Sequence, residues 1–276
     1  MSSHSKNAFL VKTDESCKNL SVEKTYSHPD VVFGLCWSPA NERQFLTACM
    51  DGNVRMFDTT TAHPNSTRVF VGHKDKIYNV IFNQQIPNIF ASGSDDRTIR
   101  IWDVENKADN MPVQILGGMN VKGSHENNIR ALQFLPEVPW CLLSGSWDST
   151  IKLWDIRSGN CMFTITDHNA DVYGITFHPQ KPFLFASCSR DTTLRLFVVD
   201  RLISALKMQL LSTDKLDNSL SKLFDQPEAA YKQKGTYKLC SKRAGDLVTK
   251  ATQGGFSSPI EQFLSLYDYI QYSDGQ

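Results

Sequence analysis

The chain has 276 residues, 41% of them apolar, and its charges balance, with Lys+Arg 29 against Asp+Glu 29. That length and apolar content suit one large β domain, or a smaller one with an extension. The balanced charge removes any long-range pull toward nucleic acid or an anionic membrane surface. Seven cysteines form no C-x-x-C pair, and Cys36, Cys49, Cys141 and Cys188 sit inside apolar runs. They read as small buried hydrophobes in a reducing compartment. Asn19 and Asn65 open Asn-x-Ser/Thr triplets, a pattern short enough to arise by chance. The first residues, MSSHSKNAF, lack the basic-then-apolar plan of a secretion signal. No apolar run approaches membrane-spanning length. The expectation is an intracellular protein, cytoplasmic with the nucleus also compatible, that needs no cofactor and no metal.

Residues 1–17 read as a flexible N-terminus, and residues 18–26, KNLSVEKTY, as an outer strand. A repeat then governs residues 18–199. Four histidines, His28, His73, His125 and His168, are each followed 23 places later by an aspartate: Asp51, Asp96, Asp148 and Asp191. Six places further stand Phe57, Trp102, Trp154 and Phe197, and four places before each Asp stand Thr47, Ser92, Ser144 and Ser187. After each His an alternating run appears: VVFGLCW, KIYNVIF, NIRALQF and DVYGITF. A second apolar run, the Asp turn and a third alternating run follow. A fourth run (STRVFVG, PVQILGG, CMFTITD) precedes the next His. Short β runs separated by regular turns predict an all-β repeat, and four strands per repeat make a propeller blade.

GHKDKIYNVIF…ASGSDDRTIRIWD and SHENNIRALQF…LLSGSWDSTIKLWD resemble WD repeats. The resemblance covers about residues 18–199 and implies a WD-repeat β-propeller. Within it, residues 170–197 are similar to a blade of the WD repeat-containing protein 17 family, whose propeller continues into helical repeats. The resemblance also implies a structural network in each blade, Asp to His to Ser or Thr to Trp. Phe57 and Phe197 replace Trp in repeats one and four, so those blades should lack one hydrogen bond. Four copies of His, Ser and Asp at fixed spacing argue against a single catalytic triad. Histidines in different blades lie too far apart to share a metal ion.

Four repeats fall short of the usual blade number, and an open arc exposes strand edges. Either the N-terminal strand closes a small ring on repeat four, or the chain is a piece of a larger propeller; the second is the expectation. Residues 200–276 read as a mostly helical extension. Leu202, Leu206 and Leu210 are spaced one helical turn apart, and Ile260, Phe263, Leu264, Tyr267 and Ile270 share a face behind Pro259.

The resemblance places partner binding at the loop face. Its candidate positions are Val31, Phe33 and Met50; Lys76, Tyr78 and Asp95; Asn128, Arg130 and Trp147; and Asp171, Tyr173 and Arg190. Trp, Tyr and Arg dominate interface energetics, and Trp147 is the expected anchor if its ring is exposed. Tyr78 and Tyr173 could instead fill gaps between blades. The mixed charge suggests a protein or peptide partner over nucleic acid. The expected function is a non-catalytic interaction scaffold in a multi-protein complex. The alternative is a substrate receptor for a cullin-type ubiquitin ligase, because LWDIR resembles the docking element of such proteins, with Asp155 and Arg157 as contacts.

Overall fold

A computed structural model of the chain describes residues 5–13, 20–106, 110–119, 121–136, 138–178 and 181–198. The helical extension expected over residues 200–276 lies outside the described residues. Two compact units divide the chain: residues 1–177 with 189–191, and residues 178–188 with 192–276.

The first unit opens with a hairpin, β1 (Asn7–Thr13) paired antiparallel with β2 (Leu20–Ser27). β1 corrects the expectation of a flexible N-terminus. Ala8 and Leu10 lie on one side of the strand and join Tyr26, Phe45 and Phe57 in one apolar cluster, and that burial holds the segment in place. β2 pairs with β1, so that edge of the outer strand is already occupied.

Three four-stranded antiparallel sheets follow, each a meander. Blade one holds β3 (Val32–Trp37), β4 (Gln44–Cys49), β5 (Asn53–Asp58) and β6 (Arg68–Val71). Blade two holds β7 (Ile77–Phe82), β8 (Ile89–Ser94), β9 (Thr98–Asp103) and β10 (Gln114–Gly117). Blade three holds β11 (Ile129–Leu135), β12 (Val138–Ser146), β13 (Ile151–Asp155) and β14 (Asn160–Ile165). The fourth repeat supplies β15 (Val172–His178) in the first unit. In the second unit, β16 (Lys181–Ser189) and β17 (Leu194–Val198) pair from Leu184↔Val198 to Cys188↔Leu194. The described fold is all-β, its main sheets four-stranded antiparallel meanders.

The core runs between blades. Leu46, Ala48, Val54 and Met56 of blade one meet Ile77, Val80 and Phe82 of blade two. Ala91, Ile99 and Ile101 of blade two meet Ile129, Leu132 and Phe134 of blade three. Small residues in the second strand make this approach possible: a Cβ on Gly93 would lie 2.8 Å from Ile129 Cγ2, and one on Gly145 2.6 Å from Val172 Cγ1. Cys49 and Cys141 are buried, and burial pushes the Cys141 thiol up to about 12. Cys188 is exposed, which corrects its reading as a buried hydrophobe.

The residue after each turn Asp is left-handed in every repeat: Gly52 (φ 80°), Arg97 (66°), Ser149 (67°) and Thr192 (68°). Only the first repeat places Gly there, so the other three hold side chains in a conformation they resist. Ser149→Gly should raise stability by about 0.5–1 kcal/mol, and Gly52→Ala should lower it by about 1–2 kcal/mol. Chemical denaturation of the two variants checks both signs.

Candidate functional site

In blade two, His73 Nδ1 lies 2.8 Å from Asp96 Oδ2, and its Nε2 lies 2.8 Å from Ser92 Oγ. The Trp102 indole N–H donates to the same Ser92 oxygen at 2.9 Å. Blade three repeats the arrangement: His125 meets Asp148 at 2.8 Å and Ser144 at 2.6 Å, and Trp154 donates to Ser144 at 2.7 Å. Each Asp also accepts the N–H of the residue after the His, Lys74 at 3.0 Å and Glu126 at 2.9 Å. Two atoms of the crossing loop are thus tied to one carboxylate. In repeat four, His168 meets Asp191 at 2.8 Å and Asn169 N–H reaches the same oxygen at 3.1 Å. Phe197 of that repeat stacks on Phe185 with ring centroids 4.8 Å apart, and Ser187 is buried.

These bonds allow one consistent set of protons. Trp donates to Ser, Ser donates to His Nε2, and His Nδ1–H donates to the carboxylate. A protonated imidazole would turn its Nε2–H toward the Ser oxygen, which would then accept from imidazole and indole together and lose the imidazole as acceptor for its own proton. Burial also lowers the basicity of His73 and His125, against the opposing pull of Asp96 and Asp148. The imidazoles are therefore neutral. Burial by itself raises the Asp96 and Asp148 carboxyls, but the hydrogen bonds from the facing His, the Thr98 and Thr150 hydroxyls and the Lys74 and Glu126 N–H groups outweigh it and hold both far below the ordinary value.

Blade one departs from this plan. His28 Nδ1 meets the Tyr26 carbonyl at 3.0 Å and Nε2 meets Thr47 Oγ1 at 2.9 Å. Asp51 takes the Arg55 guanidinium in a bidentate pair, at 3.0 and 2.5 Å. The expected His28–Asp51 bond is thus replaced, and two local reasons account for it. Pro29 follows His28 and has no N–H to anchor the carboxylate. Two charge-assisted bonds from Arg55 outcompete one from a neutral imidazole. Burial works to raise the Asp51 carboxyl, but the hydrogen bonds of Arg55 and Asn53 hold it at about 2. Phe57 packs in the cluster with Tyr26 and Phe45 and contributes no donor. Pro29 was the visible signal of this change.

The Ser–His–Asp geometry matches that of a hydrolase triad, but the His73 side chain is 0% exposed and Ser92 is fully buried. A nucleophile that accepts an indole N–H under a closed core has no path to substrate. Among the described residues, no three His, Cys, Asp or Glu side chains converge on a point that would hold a metal.

The loop face is set by a backbone bond that recurs four times. The residue before each turn Asp donates its N–H to the residue leading into the inner strand: Met50 to Val31 (2.8 Å), Asp95 to Lys76 (2.9 Å), Trp147 to Asn128 (3.0 Å) and Arg190 to Asp171 (2.8 Å). These bonds bring the candidate binding positions together in pairs. Across blades, the ring of Phe33 stacks on Tyr78 at 4.3 Å, the Arg130 guanidinium carbon sits 3.1 Å over Tyr78 and 4.0 Å over Trp147, and Arg130 lies 3.5 Å from Asp95. Trp147 is half-buried as the cover of Arg130, so the exposed ring on which its role as anchor was conditional is not found. Tyr78 bridges blades, while Tyr173 is 47% exposed. The Arg190 side chain is 72% exposed, 3.5 Å from Asp171. Elsewhere, Arg157 closes on its own neighbour, with Nε and Nη2 at 3.0 and 2.8 Å from the Asp155 carboxylate and its guanidinium 4.9 Å over Trp140.

Four-stranded blades packed on one another through apolar side chains, two of them pinned internally by a complete Asp–His–Ser–Trp network, define a class of repeat proteins built on a β-propeller plan. Four segments, residues 20–58, 64–103, 119–155 and 159–197, match the WD domain, G-beta repeat family, and with more than half of the chain covered, the chain belongs to that family. It is similar to coatomer subunit beta'-2 of Arabidopsis thaliana, 31% identical over 118 residues, which is 42% of this chain and 12% of that protein. It is similar to histone acetyltransferase type B subunit 2 of Debaryomyces hansenii, 28% identical over 181 residues, 62% of this chain and 42% of that protein. The guanine nucleotide-binding protein subunit beta of Arabidopsis thaliana is 29% identical over 193 residues, 66% of this chain and 48% of that protein. The chain thus spans less than half the length of these relatives. WD-repeat proteins generally act as protein-interaction scaffolds.

Two outcomes test the network. Asp96→Asn and Asp148→Asn should each cost about 2–3 kcal/mol, since each removes a charged acceptor from two buried donors. The His73 and His125 sites have folded values below the ordinary 6.5, so the unfolded chain takes up those protons first. Stability should therefore fall as pH drops below about 6.5, and fall further from about 4 toward 2 as Asp51 and its counterparts protonate. Denaturation midpoints across that pH range check the sign.

Proposed function

We propose that this chain is a non-catalytic platform that binds a protein or peptide partner on its loop face. The observation that carries the reading is the pairing of candidate positions by four equivalent backbone bonds, with Tyr173 and Arg190 left facing solvent. A rigid stack of Phe33, Tyr78, Arg130 and Trp147 stands beside them. Preorganised aromatic and Arg side chains lose little entropy on binding. The mixture of Lys76, Asp95, Asp171 and Arg190 suits a polypeptide carrying both signs of charge and gives no continuous basic track for nucleic acid. Coatomer and histone acetyltransferase subunits appear among the relatives by name, and membership of a multi-protein complex is part of the reading. An intracellular, cytoplasmic setting is also part of it, resting on free thiols at Cys36, Cys49, Cys141, Cys161 and Cys188. The narrower likeness of residues 170–197 to the WD repeat-containing protein 17 family rests on sequence alone.

The alternative, a cullin-ligase substrate receptor, needs Arg157 to reach outward. Its side chain is 37% exposed, but Nε and Nη2 of its guanidinium are engaged by Asp155.

Affinity capture by the full chain, followed by mass spectrometry, tests the proposal. Tyr173→Ala combined with Arg190→Glu should reduce recovery of the bound partner by about tenfold, the loss expected for hot-spot truncation. Arg157→Ala should leave recovery unchanged. Capture indifferent to the first pair would refute the face, and selective loss of ligase components with Arg157→Ala would favour the alternative.

A further inference from the structure

Five places after each His stand Phe33, Tyr78, Arg130 and Tyr173, so blade three puts a cation where the other repeats put an aromatic ring. Phe33, Tyr78 and Arg130 each fall where the register with the second strand slips, between Val32 and Gly34, Ile77 and Asn79, and Ile129 and Ala131. A bulge re-aims its side chain. Here it gathers the three into one stack, with the Arg130 guanidinium carbon 3.1 Å over Tyr78 and 4.0 Å over Trp147. The two rings leave room between them for one flat group.

Arg130 fills that slot imperfectly. Its Nη2 stops 3.5 Å from Asp95 Oδ1, long for a hydrogen bond between charged groups. Asp95 Oδ1, Arg130 Nε and Trp147 Nε1 are all buried without a hydrogen-bond partner. Seven side-chain atoms share that condition among the described residues, and three of them meet at this one place. The Arg130 side chain is only 8% exposed and that of Asp95 11%. Buried polar groups in a finished interior are paired, so this cluster marks a seat that a different occupant completes. The tether of Arg130 explains the poor fit. Its backbone carbonyl accepts Asn79 Nδ2 at 3.3 Å, and from that fixed origin the side chain reaches the rings but not the carboxylate. Burial pushes the Asp95 carboxyl up despite the Arg130 charge, in keeping with a carboxylate short of donors.

We propose that the slot between Tyr78 and Trp147, with Asp95 at its edge, binds an arginine side chain of the protein partner, and that Arg130 is a built-in occupant which the partner's arginine displaces. The inference rests on the loop-face reading and supplies its ligand chemistry. A guanidinium is flat, weakly hydrated and able to stack on aromatic faces while its edge N–H groups fork onto a carboxylate. An ammonium has no flat face to fill the slot. A partner's arginine is not tied to β11, so it can stack between the rings and donate to Asp95 at bonding distance together. The exchange replaces one cation by another, which conserves the contact with the rings. The gain is the pair of bonds that Asp95 lacks. Arg130 turns into water, where its charge is solvated, and Tyr78 and Trp147 stay in place.

The test uses the full 276-residue chain and N-acetyl-arginine methylamide as probe. The reading is the indole nitrogen-15 NMR signal of Trp147, assigned by its loss in Trp147→Phe. Arg130→Ala should bind the probe about tenfold or more tighter than the native chain, because the chain's own side chain competes at high effective concentration. In Arg130→Ala the neutral citrulline analogue and the lysine analogue should each bind about tenfold or more weaker than arginine. Adding Asp95→Asn should erase the preference for arginine over citrulline. The native chain should show the same ranking at higher probe concentration, a measurement that stands whether or not Arg130→Ala folds. Arginine binding no better than citrulline, or no tighter to Arg130→Ala than to the native chain, overturns the proposal. So does an Arg130→Ala chain that fails to fold, since Arg130 would then be a structural member that cannot leave. The probe requires no captured partner. A silent probe with capture still sensitive to Tyr173 and Arg190 removes this inference alone, whereas capture indifferent to those two residues removes the loop-face reading.

Discussion

The structure depends on one short hydrogen bond between a loop imidazole and a turn carboxylate. A propeller chain must cross from the outer strand of one blade to the inner strand of the next, over ground where the loop is buried. His125 is 2% exposed and His168 is 4% exposed. An unpaired polar group there costs more than a typical hydrogen bond returns. The carboxylate meets that cost by accepting both the imidazole and the following backbone N–H. Because the imidazole also reaches a Ser on the second strand, loop, turn and strand move as one body. The candidate binding positions sit three, five and twenty-two places after the His, so the network that stabilises the blade also sets the geometry of its face.

Packing between blades imposes the second constraint. Large side chains of one inner strand need small residues on the strand they cover, and Ala48, Gly93 and Gly145 supply them. The demand is directional, each blade being seated on the one before it. On the loop face it leaves fixed aromatic and charged groups, while in the first blade Leu35 and Trp37 stay partly exposed.

Much of this was legible in the sequence. Strand number, turn positions and the His, Ser and Asp partners recur at fixed spacing, and each bond of the network joins positions whose separation repeats. What escaped depends on neighbours far along the chain, or on one substitution inside the pattern. The exposure of the Trp147 ring could not be read from its own segment; its cover is Arg130, held in turn by Tyr78 of the preceding blade. The rewiring of Asp51 followed from Pro29 and Arg55, two ordinary residues whose effect shows only once the carboxylate's other donors are known. β1 was missed because seven residues with partial alternation resemble any polar terminus until Tyr26, Phe45 and Phe57 are placed beside them. Cys188 looked buried because its run is apolar, yet its side chain is exposed.

The central claim is that His73 and His125 are neutral structural ties and not proton-transfer groups. Nitrogen-15 NMR of the imidazoles through a pH titration tests it most directly. The account predicts that His73 and His125 remain neutral, with the proton on Nδ1, well below the ordinary pH of imidazole titration. An imidazolium at neutral pH at either residue, or a proton resident on Nε2, would contradict it.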